Sequence, residues 1–125
     1  DLDRFKRIND EYGHLVGDRV LLMTANVMKR ELRGLDIIAR FGGEEFVAIL
    51  PGISLEHATH IAERLAKTIR AESLMLESGE LIRITASIGV TQYQPHENIE
   101  QTFKRVDDLL YHAKDNGRDR VVADG

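Results

Sequence analysis

Residues 37–50 read IIARFGGEEFVAIL. Two short apolar runs, Ile37 to Phe41 and Phe46 to Leu50, flank Gly42-Gly43-Glu44-Glu45. Paired glycines between such runs are a two-residue hairpin signal, because these turns take positive φ and glycine does so without steric cost. Pro51 and Gly52 end the second run. The stretch therefore predicts an antiparallel hairpin. Its tip also carries chemistry. Glycine backbone unshielded by side chains can approach a phosphate closely. Carboxylates beside phosphates repel them unless a cation lies between, and magnesium, a hard ion that bridges carboxylates and phosphates, suits that place. Taken alone, the four residues read as readily as a hairpin tip with solvated glutamates.

Outward from the hairpin the chain alternates helices and strands. The N-terminal side predicts a short helix from Arg4 to Tyr12, ended near Gly13, and a second from about Gly17 to Leu32. Leu21, Ala25, Met28 and Leu32 give that second helix one apolar face, and Gly34 is its stop. Beyond the hairpin, Ser54 can cap a helix running to about Arg70, with Ala58, Ile61, Ala62, Leu65 and Ile69 on one side. Leu74 to Leu76 reads as a short strand turned by Ser78-Gly79. Leu81 to Tyr93 alternates apolar and polar residues and reads as one strand. A helix from Ile99 to Lys114 turns Phe103, Val106, Leu110 and Ala113 inward, Gly117 can end it, and Arg120 to Ala123 adds a last strand. This order predicts an α/β (α+β) domain, with a central mixed, mainly antiparallel sheet flanked by helices. A strand before Asp1 would complete the pattern, so the chain reads as a piece of a longer polypeptide that lacks its first strand.

The 125 residues suit a single domain spanning 1–125. At 42% hydrophobic and 30% charged, the composition is that of a folded protein. No cysteine is present, which excludes disulfides, thiolate zinc sites and cysteine nucleophiles. The net charge of −4 argues against binding a nucleic-acid polymer, but a small nucleotide reads only local charge. No apolar run spans a bilayer.

A second polar cluster opens the chain, DLDRFKRINDEYGHLVGD. Asp1 and Asp3 stand as two carboxylates at the end of a strand would; one can face a metal while the other faces away, although either can equally be a helix cap. Lys6 and Arg7 can steady a phosphate or simply be solvated. Asn9 and Asp18 frame a Gly13/Gly17 turn. A carboxylate accepts from guanine N1–H and N2–H and an amide pairs with the O6/N7 edge, so these two side chains can select guanine over adenine. His14 alone reads as structural.

DLDRFKRINDEYGHLVGD, RGLDIIARFGGEEF, ITASIGV and LLYHAKDNGRDRV follow one another in order. Together they resemble the GGDEF-domain family of diguanylate cyclases, in the variant with Glu at the third signature position. The likeness runs from residue 1 to about residue 122, and four motifs in register are far more specific than the signature loop. It implies a palm-like, nucleotide-cyclase-like fold. It also implies an enzyme that condenses two GTP molecules into cyclic di-GMP, a bacterial second messenger, and pyrophosphate, with Mg²⁺ (or Mn²⁺) as cofactor. By resemblance Asp1 and the Leu2 carbonyl hold metal, Glu44 holds metal and accepts the proton, and Glu45 supports either task. Gly42 and Gly43 lie against the phosphates, Lys6 steadies the transition state, and Asn9 and Asp18 read guanine. His14 adds a substrate contact, and Lys114 and Arg118 anchor the terminal phosphates. Arg33 and Asp36 match an RxxD product-inhibition motif, with Arg64 a further residue of that site.

One domain holds one GTP, so two must face each other and the active unit is a homodimer. The same family frame implies a cytoplasmic domain, with any upstream sensory module or membrane anchor outside the sequence. The alternative is a silent module that binds GTP or cyclic di-GMP and only signals. A third reading is another palm-type cyclase or polymerase. Intact signature acids and Asp1 favour the cyclase over the former, and Asn9, Asp18 and the RxxD motif favour it over the latter. His57, His60, His96 and His112 lack ligand spacing, and Ser87 lacks a triad partner.

Overall fold

The computed structural model describes residues 1–124. Four helices, α1 (Phe5–Tyr12), α2 (His14–Glu31), α3 (Leu55–Ala71) and α4 (Ile99–Asp115), accompany six strands. The strands are β1 (Ile37–Arg40), β2 (Phe46–Ile49), β3 (Leu74–Met75), β4 (Leu81–Ile82), β5 (Ser87–Val90) and β6 (Arg120–Ala123). The predicted α/β class holds, and β1–β2 and β3–β4 pair antiparallel while β5–β6 pair parallel.

The strands form three two-stranded units rather than one uninterrupted sheet. Residues 1–3 join two of them. Leu2 bridges Ala86, and the Leu2 N–H donates to the Glu44 carbonyl at 3.2 Å on the other side. Asp3 N–H to the Thr85 carbonyl and Ser87 N–H to the Asp1 carbonyl, each 2.9 Å, complete the antiparallel contact with the β5 segment. The run read as one strand from Leu81 to Tyr93 is divided. β4 pairs with β3, β5 pairs with β6, and residues 83–85 between them belong to neither.

Two details of the N-terminal helices correct the sequence reading. Gly13, at φ 91°, alone breaks α1 from α2, and α2 already begins at His14. Gly17 lies inside α2 and is buried, so there is no Gly13/Gly17 turn. A Cβ at Gly17 would fall on the Asn9 side-chain oxygen and press the Phe5 ring at 3.2 Å. This glycine is needed for the close approach of the two helices, not for a turn.

The core gathers Leu2 and Phe5 with Val20, Val27 and Met28 of α2, Leu65 and Ile69 of α3, and Ile82, Ile84 and Ala86. Burying each of the larger aliphatic side chains contributes about 1.5–3 kcal/mol. α3 starts where Ser54 accepts from the His57 N–H. α4 starts on a reciprocal capping box between Asn98 and Gln101. Just inside α4, Arg105 grips Glu97 with two 2.7 Å hydrogen bonds and also reaches Thr91 and Asp124. That cluster ties the loop before α4 to the end of β6. No helix among the described residues is long and apolar enough to cross a membrane.

Candidate active site

The Asp1 end of the chain, the β1–β2 loop and the last turn of α4 meet in one place. Asp1 is nearly enclosed, its side chain 4% exposed, and the Lys114 ammonium stands 3.0 Å from its Oδ1. The Leu2–Glu44 backbone bond fixes the loop beside it. The Asp1 nitrogen lies within the electrostatic reach of Lys114, Asp3, Glu45 and Glu44. Asp1, Glu44 and Lys114 are thus brought to one place, with Lys114 paired to Asp1 and Glu45 exposed at their edge.

The loop differs from the predicted two-residue turn. Phe41 N–H donates to the Glu45 carbonyl at 2.8 Å, so three residues, Gly42 to Glu44, form the tip. Neither Gly42 nor Gly43 takes positive φ. A Cβ at Gly43 would meet nothing within 4 Å, and one at Gly42 only the Glu45 carboxylate at 3.9 Å. The longer tip removes the conformational demand that a two-residue turn would make. Neither backbone strain nor packing within the chain therefore calls for these glycines. The Phe41 ring stacks on Phe103 of α4, centroids 5.4 Å apart and planes 14° apart, and holds the base of the loop.

Asp3, the alternating carboxylate, turns inward. It is 6% exposed and accepts from Thr85 Oγ1 at 2.7 Å, Ser87 Oγ at 2.6 Å and the Asp119 N–H at 2.9 Å. Ser87, placed by its alternation on the polar side of a strand, is fully buried for this purpose. Three backbone positions beside this acid take the left-handed conformation without being glycine: Arg4 (φ 56°), Arg118 (φ 62°) and Asp119 (φ 47°). Such positions cost energy and persist where the surroundings impose them. The Arg118 N–H bonds the Ala113 carbonyl at 3.0 Å, and the next N–H is held by Asp3. Asp3 therefore sets the turn that carries Arg118. No strong sequence signal marked it, although Thr85 and Ser87 two apart on one face of an alternating run were a clue.

The remaining predicted residues of this end of the chain lie on α1 and α2. Lys6 lies exposed on α1, and His14 is the exposed first residue of α2. Asn9 packs on Gly17, and its Oδ1 is the one buried side-chain polar atom without a hydrogen-bond partner among the described residues. An orphaned acceptor costs about 1–3 kcal/mol, which a donor from a bound molecule would recover. Asp18, the residue after Gly17, edges a concavity of about 340 Å³ walled by Leu21, Leu22 and Ala25 of α2, Arg40 of β1 and Phe46 of β2. Arg40 and Phe46 were missed by the sequence reading, because only the hairpin's return beside α2 brings them there.

Arg33, Asp36 and Arg64 gather at the C-terminal end of α2. Arg33 clasps Asp36 through Nε and a terminal nitrogen, the shortest contact 2.6 Å, and donates to the Pro51 carbonyl at 2.8 Å. The Asp36 carboxyl is held below the usual range by these guanidinium bonds. Arg64 Nε pairs with Glu31 at 2.9 Å.

Among the described residues, no three His, Cys, Asp or Glu side chains stand close enough to cage a metal. Asp1, Glu44 and the Leu2 carbonyl nevertheless offer hard oxygen donors, and Lys114 supplies a cation at Asp1 in their present arrangement. That set fits magnesium, which takes one or two carboxylates and completes its shell with water and phosphate oxygens.

Comparison with known proteins places the chain in a family. The family described as "Diguanylate cyclase, GGDEF domain" matches residues 1–120. The chain is 49% identical over 121 residues to diguanylate cyclase DgcP of Pseudomonas aeruginosa, covering 97% of this chain but only 18% of that protein. It superposes on diguanylate cyclase SiaD of P. aeruginosa, solved with its activator SiaC, with a TM-score of 0.94 and 41% identity over 99% of this chain and 47% of that one. The GGDEF domain of DgcB from Caulobacter crescentus, solved with c-di-GMP, gives a TM-score of 0.92 at 33% identity, over 98% of this chain and 73% of that one.

Proposed function

This chain belongs to the GGDEF-domain diguanylate cyclase family, and from that membership we propose that it joins two GTP molecules into cyclic di-GMP with release of two pyrophosphates. The observation that carries the reading is the convergence of Asp1, Glu44 and Lys114 beside a loop whose two glycines serve no internal need.

In this reading Asn9 and Asp18 hold the guanine edge, with Asn9 Oδ1 gaining the donor it lacks, while His14 contacts the substrate. Gly42 and Gly43 let the phosphates lie against the loop backbone, and Lys114 and Arg118 anchor the outer phosphates. Lys6 steadies charge as the transition state forms. Asp1, the Leu2 carbonyl and Glu44 would hold Mg²⁺ or Mn²⁺, with Glu45 in support. The bound ion would neutralise phosphate charge and lower the pKa of the attacking 3′-hydroxyl. Glu44 accepts the hydroxyl proton as the oxygen attacks the α-phosphorus of the facing GTP, and pyrophosphate leaves. Each domain presents one GTP, so two copies face each other as a homodimer.

Arg33, Asp36 and Arg64 form the product site. For cyclic di-GMP to bind there, Arg33 must exchange its Asp36 contact for a phosphate or a guanine edge, a trade its planar fork permits.

The protein incubated with GTP and Mg²⁺ should yield cyclic di-GMP, detectable by chromatography. E44A should abolish product while leaving the thermal melt unchanged. R33A should keep catalysis and lose inhibition by added cyclic di-GMP. Bound GTP with no product from the folded dimer overturns the cyclase reading, and unchanged inhibition of R33A overturns the RxxD assignment.

A further inference from the structure

A concavity of about 360 Å³ lies outside every role assigned above. Arg4, Arg7, Arg70 and Arg83 ring it, Ile8 and Ile84 give it apolar wall, and Asp3 lies at its inner side. Four guanidinium groups round one hollow are unexpected on a chain of net charge −4. Like charges at such proximity repel one another, and nearby carboxylates ordinarily relieve the repulsion.

Here only Arg70 has a carboxylate partner among the described residues. Both oxygens of Asp3 accept from Thr85, Ser87 and the Asp119 N–H, and neither bonds an arginine side chain. Asp119 meets only Arg70, through Nε at 2.9–3.0 Å, so the terminal nitrogens of Arg70 have no acceptor among the described residues. Arg4, Arg7 and Arg83 are exposed, and among the described residues their side chains make no ion pair or hydrogen bond. Arg4 is moreover held at φ 56° at the cap of α1, with no side-chain capping bond, where asparagine or glycine would be less strained. The fold thus accepts backbone strain at Arg4 and leaves three arginines around one volume without a partner among the described residues.

Guanidinium forks match phosphate oxygens in pairs. The volume falls at the small end of the range of about 300–1,000 Å³ for ligand sites. We propose that this concavity is a second anion site, distinct from the Asp1–Glu44 centre, that takes a compact polyphosphate. The group can come from free pyrophosphate or from the phosphate tail of a nucleoside triphosphate.

The test uses methyl NMR of Ile8 and Ile84 in metal-free buffer, with inorganic pyrophosphate as the probe. Saturable shifts of both methyl groups are expected, with affinity at least tenfold weaker in R7Q/R83Q, partly recovered in R7K/R83K, and unchanged in K114Q. A parallel titration with GTP separates the sources: tighter binding than pyrophosphate assigns the nucleotide tail, weaker binding the free anion. Both outcomes support a polyphosphate site. Absent shifts, equal affinity in R7Q/R83Q, or equal weakening in K114Q overturn it. So does sulfate producing the same shifts at the same concentration, which would reduce the hollow to a general anion patch. No turnover is measured, so failure here leaves the cyclase reading standing.

Discussion

Lys114 Nζ stands 3.0 Å from Asp1 Oδ1, and of the two side chains the lysine is 33% exposed and the aspartate 4%. A carboxylate that shielded needs a cation beside it. K114Q removes the cation, at a cost of about 1–3 kcal/mol, since the lysine end of the pair is partly hydrated. The metal-free melting temperature should fall by several degrees. Added Mg²⁺ should then raise it more in K114Q than in the parent, because the ion meets an uncompensated Asp1. Equal Mg²⁺ shifts in calorimetry of the two proteins would show that Asp1 is not the metal's ligand.

G43A separates function from fold. The position has no positive φ and no neighbour within 4 Å of an added methyl group. Stability should therefore stay within about 0.5 kcal/mol, as for a plain surface change. Affinity for GTP should fall at least tenfold, read by calorimetric titration, because the methyl group occupies the space assigned to the phosphates. Unaltered affinity would return the loop to an ordinary hairpin tip.

D3A strands two hydroxyls and one backbone N–H around an empty buried position. The loss should be roughly 3 kcal/mol or more in urea unfolding, given hydrogen bonds to a charged group. D3N should recover part of it, since the amide oxygen still accepts. Turnover of D3A should fall with stability, because the turn carrying Arg118 loses its anchor.

Arg105 holds the Glu97 carboxyl down to about 2, from an ordinary 4.5, chiefly through its hydrogen bonds. A depressed acid contributes stability above its unfolded pKa and loses it as pH falls through the folded one. The attachment of the loop before α4 should therefore weaken progressively from about pH 4.5 toward pH 2. Amide exchange of residues 92–97 followed against pH should report it, and E97Q should flatten the profile in that window.

Much of this was legible in residue order. The helices, the hairpin and Arg120–Ala123 as a last strand follow from period, caps and glycine stops, and the four motifs identified the family. What stayed hidden depends on distant segments meeting. Nothing local tells Asp3 from Asp1: residues two apart on a strand share a face, so the expectation that one turns away from the other has no basis in alternation. Only contact with Thr85 and Ser87, more than eighty positions away, makes one buried and structural. Gly17 looked like a turn because the sequence does not reveal that α1 lies against it. The split of the 81–93 run has the same origin: its alternation is real, but its two ends pair with different partners.

α4 is seated at its start by the Asn98–Gln101 box and the Arg105 cluster, meets the signature loop at Phe103, and ends at Lys114. Eleven residues of helix set those last two points about 16 Å apart. Loop support and cation therefore ride on one lever arm. A tilt of α4 about its fixed end must move both in concert, and the farther point, Lys114, must travel more, so displacement is geared toward the ammonium group beside Asp1.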